Sequence, residues 1–391
     1  MASRSDFGAK TDAKDVFAAF PTGVGGKVAL SFLVLITGVS PKGLGAELAQ
    51  SLATQKPNLL ILTGRSSSKV EAVARDISTP GVEIRIILFD ISSFGSISIA
   101  VQEINGFAEP SIDLVFNNAG VMNIPERRMS ADGFECHLAT NYLGLALFTD
   151  GILPKVKKSD AGRIVNVVSN GYAFSPFRFS DYNFDGVDDL PEDEQPSKEA
   201  MVAFGIPFGL GYIPPVAYGQ SKTAAILYTR ELADRLKRTN ATALSVMPGV
   251  IGTELWREMP AETMKAILSS LPLKSTSQGI ATMLVAALDP KLKESGGAYL
   301  NDCQAEDVQP FAKDKSKAKK LWRLTEKLTG KTFTVHSRLL QGQRFSQEIL
   351  GSQGSGYSKE IFRLQMLKER YSADVPSSRE DCIVESGDLY G

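Results

Sequence analysis

The chain predicts an α/β fold built on a doubly wound parallel sheet, and three observations carry the prediction. Apolar segments of strand length recur through most of the 391 residues and alternate with helical stretches, the order that repeated βαβ units produce. The first such run ends in a glycine-rich turn that opens a helix, Thr37-Gly38-Val39-Ser40-Pro41-Lys42-Gly43-Leu44-Gly45. A later helix carries Tyr218 and Lys222 four residues apart, which sets a phenol and an ammonium on one face.

In chain order, residues 1–26 form a polar lead-in with one short helix at 12–20. Strands are expected at 33–37, 59–63, 83–89, 114–116, 163–168, 242–247 and 298–300, seven in all. Between them the helical segments are 45–53, 70–77, 97–104, 133–156, 218–238 and 278–288. A sheet wound in this way binds its ligands beyond the carboxyl ends of the strands. Residues 171–216 interrupt the repeat with a long insertion rich in aromatics, acids, glycine and proline. Beyond residue 331 the chain turns polar, with Gly351-Ser352-Gln353-Gly354-Ser355-Gly356 as a flexible run, so 334–391 is expected to be poorly ordered.

Composition excludes several classes of function. A net charge of −1 gives no global field to attract nucleic acid or an anionic membrane. The three cysteines, Cys136, Cys303 and Cys382, are widely spaced and odd in number, which points to a reducing, cytoplasmic compartment rather than a disulfide framework. With two histidines, His137 and His336, zinc catalysis is poorly provided for and no metal site is expected. The N-terminus has no continuous apolar core of a secretory signal. The longest apolar run, 28–36, is far short of the ~20 residues that cross a bilayer.

The glycines after the first strand permit a tight turn and let the backbone approach a pyrophosphate at the exposed amides of a helix. Arg65, in Thr63-Gly64-Arg65-Ser66-Ser67-Ser68 at the end of the second strand, stands where an acid would grip the ribose of NAD and an arginine accommodates a 2′-phosphate. Arg65, with Ser66 and Lys42, therefore favours NADP.

Together with Asn117-Asn118-Ala119-Gly120 after the fourth strand, these motifs resemble the short-chain dehydrogenase/reductase family, over residues 27–333. The resemblance implies a single Rossmann-type domain with a doubly wound, seven-stranded parallel sheet, a long lid insertion and a flexible C-terminal tail. The family's TGxxxGxG loop has one residue more here, with four positions between Gly38 and Gly43. Gly38, Ser40, Gly43, Leu44 and Gly45 would meet the cofactor there. Asp90, in Phe89-Asp90-Ile91, matches the family's adenine contact, and Asn117, Asn118 and Gly120 match its NNAG motif. Ile251 and Thr253, after Pro248-Gly249, match its contacts to carboxamide and phosphate. Four positions match the catalytic set: Asn141, Ser169, Tyr218 and Lys222.

What the resemblance implies chemically is hydride transfer between NADPH and a carbonyl carbon, with Tyr218 as proton donor and Ser169 bonded to the oxygen. Lys222 would lower the Tyr218 pKa and hold the nicotinamide ribose, and Asn141 would hold a relay water. The long insertion is like that of retinol-dehydrogenase-type and fungal secondary-metabolism members, so a ketoreductase of the latter kind is one expected role. Its aromatics, Tyr172, Phe174, Phe177, Phe179, Tyr182, Phe184, Phe204, Phe208 and Tyr212, either cover a hydrophobic substrate or pack the insertion on the sheet. The acidic run Asp185, Asp188, Asp189, Glu192, Asp193 and Glu194 is expected to be solvated. Residues 254–273 fall where the family places its substrate lid. Lys313, Lys315, Lys317, Lys319 and Lys320 precede Leu321, Trp322, Leu324 and Leu328 at helical spacing, a C-terminal helix with its lysines outward.

The expected protein is thus an NADP(H)-dependent oxidoreductase interconverting a carbonyl and an alcohol on a small apolar substrate. The partner expected is that small molecule, with no nucleic acid and no transmembrane segment; oligomeric state is open, a homodimer being one option, since the family often pairs through two long helices, here 133–156 and 218–238. Two other readings are an NAD-dependent alcohol dehydrogenase and a nucleotide-binding scaffold that has lost turnover.

Overall fold

The strand pattern along the first element already shows why a two-sided sheet forms. Leu33, Val34, Leu35 and Ile36 are all buried, and their side chains alternate between two separate apolar layers. A computed structural model of the chain describes residues 2–21, 32–77, 79–186, 189–259 and 261–336. Its strands are β1 Leu33–Ile36, β2 Leu59–Gly64, β3 Glu83–Leu88, β4 Leu114–Asn117, β5 Arg163–Val167, β6 Thr242–Met247, β7 Tyr299–Asn301 and β8 Gln304–Glu306. They form one sheet in the order β3-β2-β1-β4-β5-β6-β7-β8. All neighbours are parallel except β7 and β8, which pair antiparallel. The seven strands read from the sequence are present. The eighth is a three-residue edge strand, turned back through Asp302 and Cys303, both at positive φ, and too short to show an alternating pattern.

The order reverses between β1 and β4, which sets a crevice at their carboxyl ends. Helices Phe94–Asn105, Gly144–Val156, Pro214–Leu236 and Lys315–Thr329 cover the layer that receives Leu33 and Leu35. Helices Leu44–Ala53 and Thr276–Leu288 cover the layer that receives Val34 and Ile36. The N-terminal lead-in packs on this second layer. Phe7, Ala13 and Val16 are buried in it, the Ser3 N–H donates to the Asp289 carboxylate at 2.5 Å, and Gln304 Nε2 donates to the Arg4 and Phe7 carbonyls at 2.8 Å.

The Tyr218 helix begins at Pro214, four residues before the sequence reading starts it, because two prolines stand at its first turn, where their missing N–H groups leave no bond unmade. The Lys315–Thr329 helix lies on that helix with Lys315, Lys319 and Lys320 outward, whereas Lys317 departs from the expectation, half-buried and paired with Asp193 at 2.8 Å. Trp322 is buried and stacks on Tyr228 at 5.5 Å, and the Arg235 guanidinium lies 4.2 Å from its ring centroid. The Pro214–Leu236 helix, one of the two through which the family often pairs, is therefore covered by the chain's own C-terminal helix. The expectation of disorder for 334–391 lies, from residue 337 on, outside the described residues, as do residues 28–31 of the long apolar run. Thr334 itself is tied down, its N–H donating to the Asp150 carboxylate at 2.7 Å.

Candidate active site

At the end of β1 the glycine loop takes up its extra residue in a closed turn. The Gly43 N–H donates to the Ser40 carbonyl at 3.1 Å; Pro41 stands at the first corner and Lys42 at the second, with φ of 60°. Proline presets the first corner, and the lysine carries the left-handed strain that glycine usually takes. Gly43 then caps the Leu44–Ala53 helix. Two glycines are required by close approach: a Cβ on Gly38, which also has φ of 71°, would lie 2.5 Å from the Ala119 Cα, and one on Gly45 would lie 2.6 Å from the Gly38 carbonyl oxygen. Asn118 Nδ2 donates to the carbonyls of Thr37 and Gly38 at 2.9 and 3.1 Å, so the fourth strand's loop holds the first strand's turn in place.

A cavity of 950 Å³ opens at the carboxyl ends of these strands. One half is bounded by Gly38, Ser40, Gly43, Leu44, Arg65 and Asp90, continuing over Asn118, Gly120, Ile251 and Thr253 to Tyr218 and Lys222. The Arg65 guanidinium faces the Asp90 carboxylate loosely, at 4.0 Å, and both are well exposed. The other half is apolar, with Phe174, Phe204, Pro207, Trp256, Met259 and Leu271 on its walls. Three residues singled out in the sequence do not reach the cavity. Gly45 packs helix on turn. Asn117 is buried and donates to Thr149 Oγ1 and Asn166 Oδ1 at 2.9 and 2.8 Å, joining β4 to β5 and to the helix above.

Asn141 is the third, and its setting is unusual. It lies in a single π-turn, Ala139–Leu143, between the short helix Cys136–Leu138 and the helix Gly144–Val156. Such turns interrupt helices chiefly at functional sites. Its amide brackets the Val121 backbone, accepting the N–H at 2.8 Å and donating to the carbonyl at 2.9 Å, and its second N–H donates to Ser221 Oγ at 3.0 Å. One turn earlier, His137 is buried between Glu135, at 2.7 Å from Nδ1, and the Ile124 N–H, which donates to Nε2 at 3.2 Å. The pair holds the strap 121–124 along the cavity wall, and the Tyr212 hydroxyl donates to the Ile124 carbonyl at 2.8 Å from the other side.

Tyr218 and Lys222 are both 5% exposed, and the Lys222 ammonium lies 5.6 Å from the phenol ring centroid. Ser169 caps the turn Asn170–Phe174, its Oγ accepting from the Gly171 N–H at 3.1 Å. Gly171 lies against the tyrosine: a Cβ there would be 2.9 Å from Tyr218 Cε1. Lys222 donates to the Val167 carbonyl at 3.1 Å. Burial pushes the Tyr218 phenol up to about 12, with a side-chain hydrogen bond to Ser169 pulling the other way. Burial also pushes the Lys222 ammonium down to about 8. Burial thus outweighs the hydrogen bond from Ser169 at the phenol. Both groups leave water together, and desolvation disfavours phenolate and ammonium alike.

The insertion divides its aromatics between the two roles open to them. Phe174 and Phe204 face the cavity and meet edge to face at 5.1 Å. Tyr172, Phe177 and Phe184 are buried in the body of the domain. Arg178, also buried, reaches the Leu210 carbonyl at 2.8 Å and the Asp181 carboxylate at 2.5 Å, and Gln220, within the Pro214–Leu236 helix, donates to the Tyr182 carbonyl at 2.9 Å. In the acidic run Asp185, Asp189, Glu192 and Asp193 are exposed, and Asp188 lies outside the described residues. Glu194 departs from the expectation: it is buried and accepts from the Ser180 N–H and hydroxyl at 2.8 and 2.6 Å, which replaces its lost hydration. Three residues of the site carried no signal in the sequence. Gly171, Lys69 and Glu254 reach the cavity from separate segments and belong to no motif. Among the described residues no helix is long and apolar enough to cross a membrane.

The family model described as short chain dehydrogenase matches residues 33–183. Over 249 residues the chain is 42% identical to the oxidoreductase fscI of Fusarium equiseti, covering 62% of this chain and 94% of that protein. It is 34% identical over 300 residues to retinol dehydrogenase 12 of Mus musculus, covering 76% of this chain and 86% of the other. A solved structure of an uncharacterized protein from Mycobacterium Paratuberculosis superposes with a TM-score of 0.55 at 27% identity, over 78% of this chain and 96% of that one. The NADPH-bound carbonyl reductase from chicken fatty liver superposes at 0.51 over 71% of this chain and all of its own length, a likeness of fold alone at 17% identity.

Proposed function

The chain belongs to the short-chain dehydrogenase family of oxidoreductases, and we propose from that premise that it interconverts a carbonyl and an alcohol on an apolar small molecule with NADP(H). The observation that carries the reading is the convergence of Ser169, Tyr218 and Lys222 at the junction of the two halves of one cavity. The residues present fit a dinucleotide. Gly38 and Gly45 leave no room for side chains under the turn, Gly43 opens a helix toward the cavity, and Arg65 and Ser66 stand at the corner that distinguishes a phosphorylated ribose. When bound, the nicotinamide cofactor supplies or takes the hydride.

The protein's part is proton handling and placement. A phenol raised to about 12 is protonated at neutral pH, so Tyr218 stands as a donor to a carbonyl oxygen as negative charge develops on it. Ser169, held by its bond from Gly171, supplies a second hydrogen bond to the same oxygen. Lys222, protonated below about 8, places a positive charge beneath the phenol and stabilises the phenolate left after donation. Asn141 braces the strap 121–124; its side chain is engaged by Val121 and Ser221, so its part is positioning of that wall. Phe174, Phe204, Trp256 and Met259 give the substrate half an apolar wall suited to an apolar molecule. The test is titration of NADPH and NADH into the protein, then oxidation of bound NADPH by a panel of apolar ketones and aldehydes. Preferential NADPH binding with turnover establishes the reading; absence of binding by either nucleotide overturns it.

A further inference from the structure

Among the residues lining the cavity with Arg65 is an ion pair that none of the motifs contains. Lys69, in the first turn of the Ser67–Asp76 helix, holds Glu254 at 2.9 Å, and both side chains line the cavity while remaining about half exposed, at 50% and 47%. The partners are 185 residues apart in sequence and belong to different parts of the site. Lys69 follows the turn that reads the ribose corner. Glu254 opens the turn Glu254–Trp256, the start of the 254–273 segment over the apolar half, and its own carbonyl accepts from Arg257 Nη1 at 3.1 Å. Lys42, at the corner of the glycine loop, and Arg257 add their positive fields at the same carboxylate. Glu254 is thus the carboxylate on which Lys69, Arg257 and Lys42 act, while Arg65 has Asp90 opposite it at 4.0 Å.

We propose that Glu254 is a tethered counter-ion which Lys69 exchanges for the 2′-phosphate of NADP, so that this cofactor, and not NAD, releases the first turn of the lid. The inference rests on the NADP reading above. An exposed ion pair of this kind is weak, as an exchangeable contact must be. A ribose phosphate carries close to two negative charges at neutral pH against one on a carboxylate, so the cation cluster favours it when both compete. NAD has no such group and leaves the Lys69–Glu254 contact intact. The lid segment would then sense which nucleotide is bound before any substrate arrives.

The experiment is a double-mutant cycle on the full chain. Dissociation constants of oxidised NADP and oxidised NAD are measured for wild type, Lys69→Ala, Glu254→Gln and the double variant, with thermal melting as a control for folding. Lys69→Ala is expected to weaken NADP by roughly ten-fold and to leave NAD within about two-fold. Glu254→Gln is expected to tighten NADP by roughly three- to five-fold, and that gain disappears in the Lys69→Ala background. Trp256 supplies a second readout. It is one of two tryptophans, its indole N–H donates to the Ile251 carbonyl at 2.9 Å, and Trp322 is buried elsewhere. Its emission should change with NADP and not with NAD in wild type, and should already be changed in Glu254→Gln without nucleotide. Equal effects of the substitutions on both cofactors, or additive effects in the cycle, overturn the exchange while leaving the NADP reading in place. A wild type that binds NAD more tightly than NADP overturns the cofactor assignment and the exchange with it.

Discussion

The two halves of the cavity are built from different material. In the nucleotide half, Gly38, Arg65, Asp90 and Asn118 sit at or just beyond the carboxyl ends of β1 to β4, three of which are buried on both sides while β3 forms the sheet edge. In the apolar half, Phe174 and Phe204 come from the insertion, Trp256 and Met259 from the segment after β6, and Phe204 is 59% exposed. Groups at strand ends are placed by the sheet, whereas groups on long loops are placed by whatever those loops pack against. The chemistry is therefore held rigidly, and the shape of the substrate space depends on contacts that can change with little cost to the sheet.

Substitutions on either side should separate the two. The largest effect is expected from Tyr218→Phe, which removes the proposed proton donor. It should lower kcat by roughly 10²- to 10⁴-fold with NADPH affinity nearly unchanged. A variant that kept wild-type turnover would sink the assignment of the donor.

Lys222→Met should also suppress turnover, yet it should stabilise the fold. The folded pKa of about 8 lies below the ordinary 10.5, so the unfolded chain binds more protons between those values and stability rises with pH across that window. Below about 8 the charged lysine carries its full burial penalty, on the order of 3 kcal/mol. Denaturant unfolding at pH 7 and at pH 10 should show the variant more stable than wild type at the lower pH and the difference shrinking at the higher. Parallel stability curves would mean that Lys222 is less buried in solution than in the structure.

A smaller effect follows from Arg65→Glu, which should weaken NADPH by roughly 10- to 100-fold and leave NADH within a few-fold, since only the phosphorylated ribose meets the reversed charge. Isothermal titration of both nucleotides checks it. The smallest belongs to the loop side: Phe204→Ala should raise KM for bulky apolar substrates by roughly 3- to 10-fold with the cofactor dissociation constant unmoved. If that substitution shifted cofactor binding instead, the division of the cavity into two independent halves would fail.

Much of the nucleotide half was legible because its residues are close in sequence to the strand that places them. Gly38 follows β1, Arg65 follows β2, and Asn118 follows β4 by a single residue, so a strand pattern and a short motif suffice to locate each. The π-turn at Asn141 was not legible, because a helix with one extra residue in a turn keeps nearly the same apolar pattern. Nor was the division of the insertion's aromatics. Phe174 and Phe177 are three residues apart and of one type, yet one faces the cavity and the other lies fully within the core.

By itself the sequence determined the alternation of strands and helices, the glycines that only a close backbone approach explains, and the pairing of Tyr218 with Lys222 on one helical face. Each of these depends on neighbours within a few residues, where periodicity and backbone sterics act directly. Tertiary structure alone decided the pKa values of that pair, the covering of the Pro214–Leu236 helix by the chain's own C-terminal helix, and the meeting of Lys69 with Glu254. Those depend on burial and on contacts between segments far apart in the chain, and neither is set until the sheet has closed.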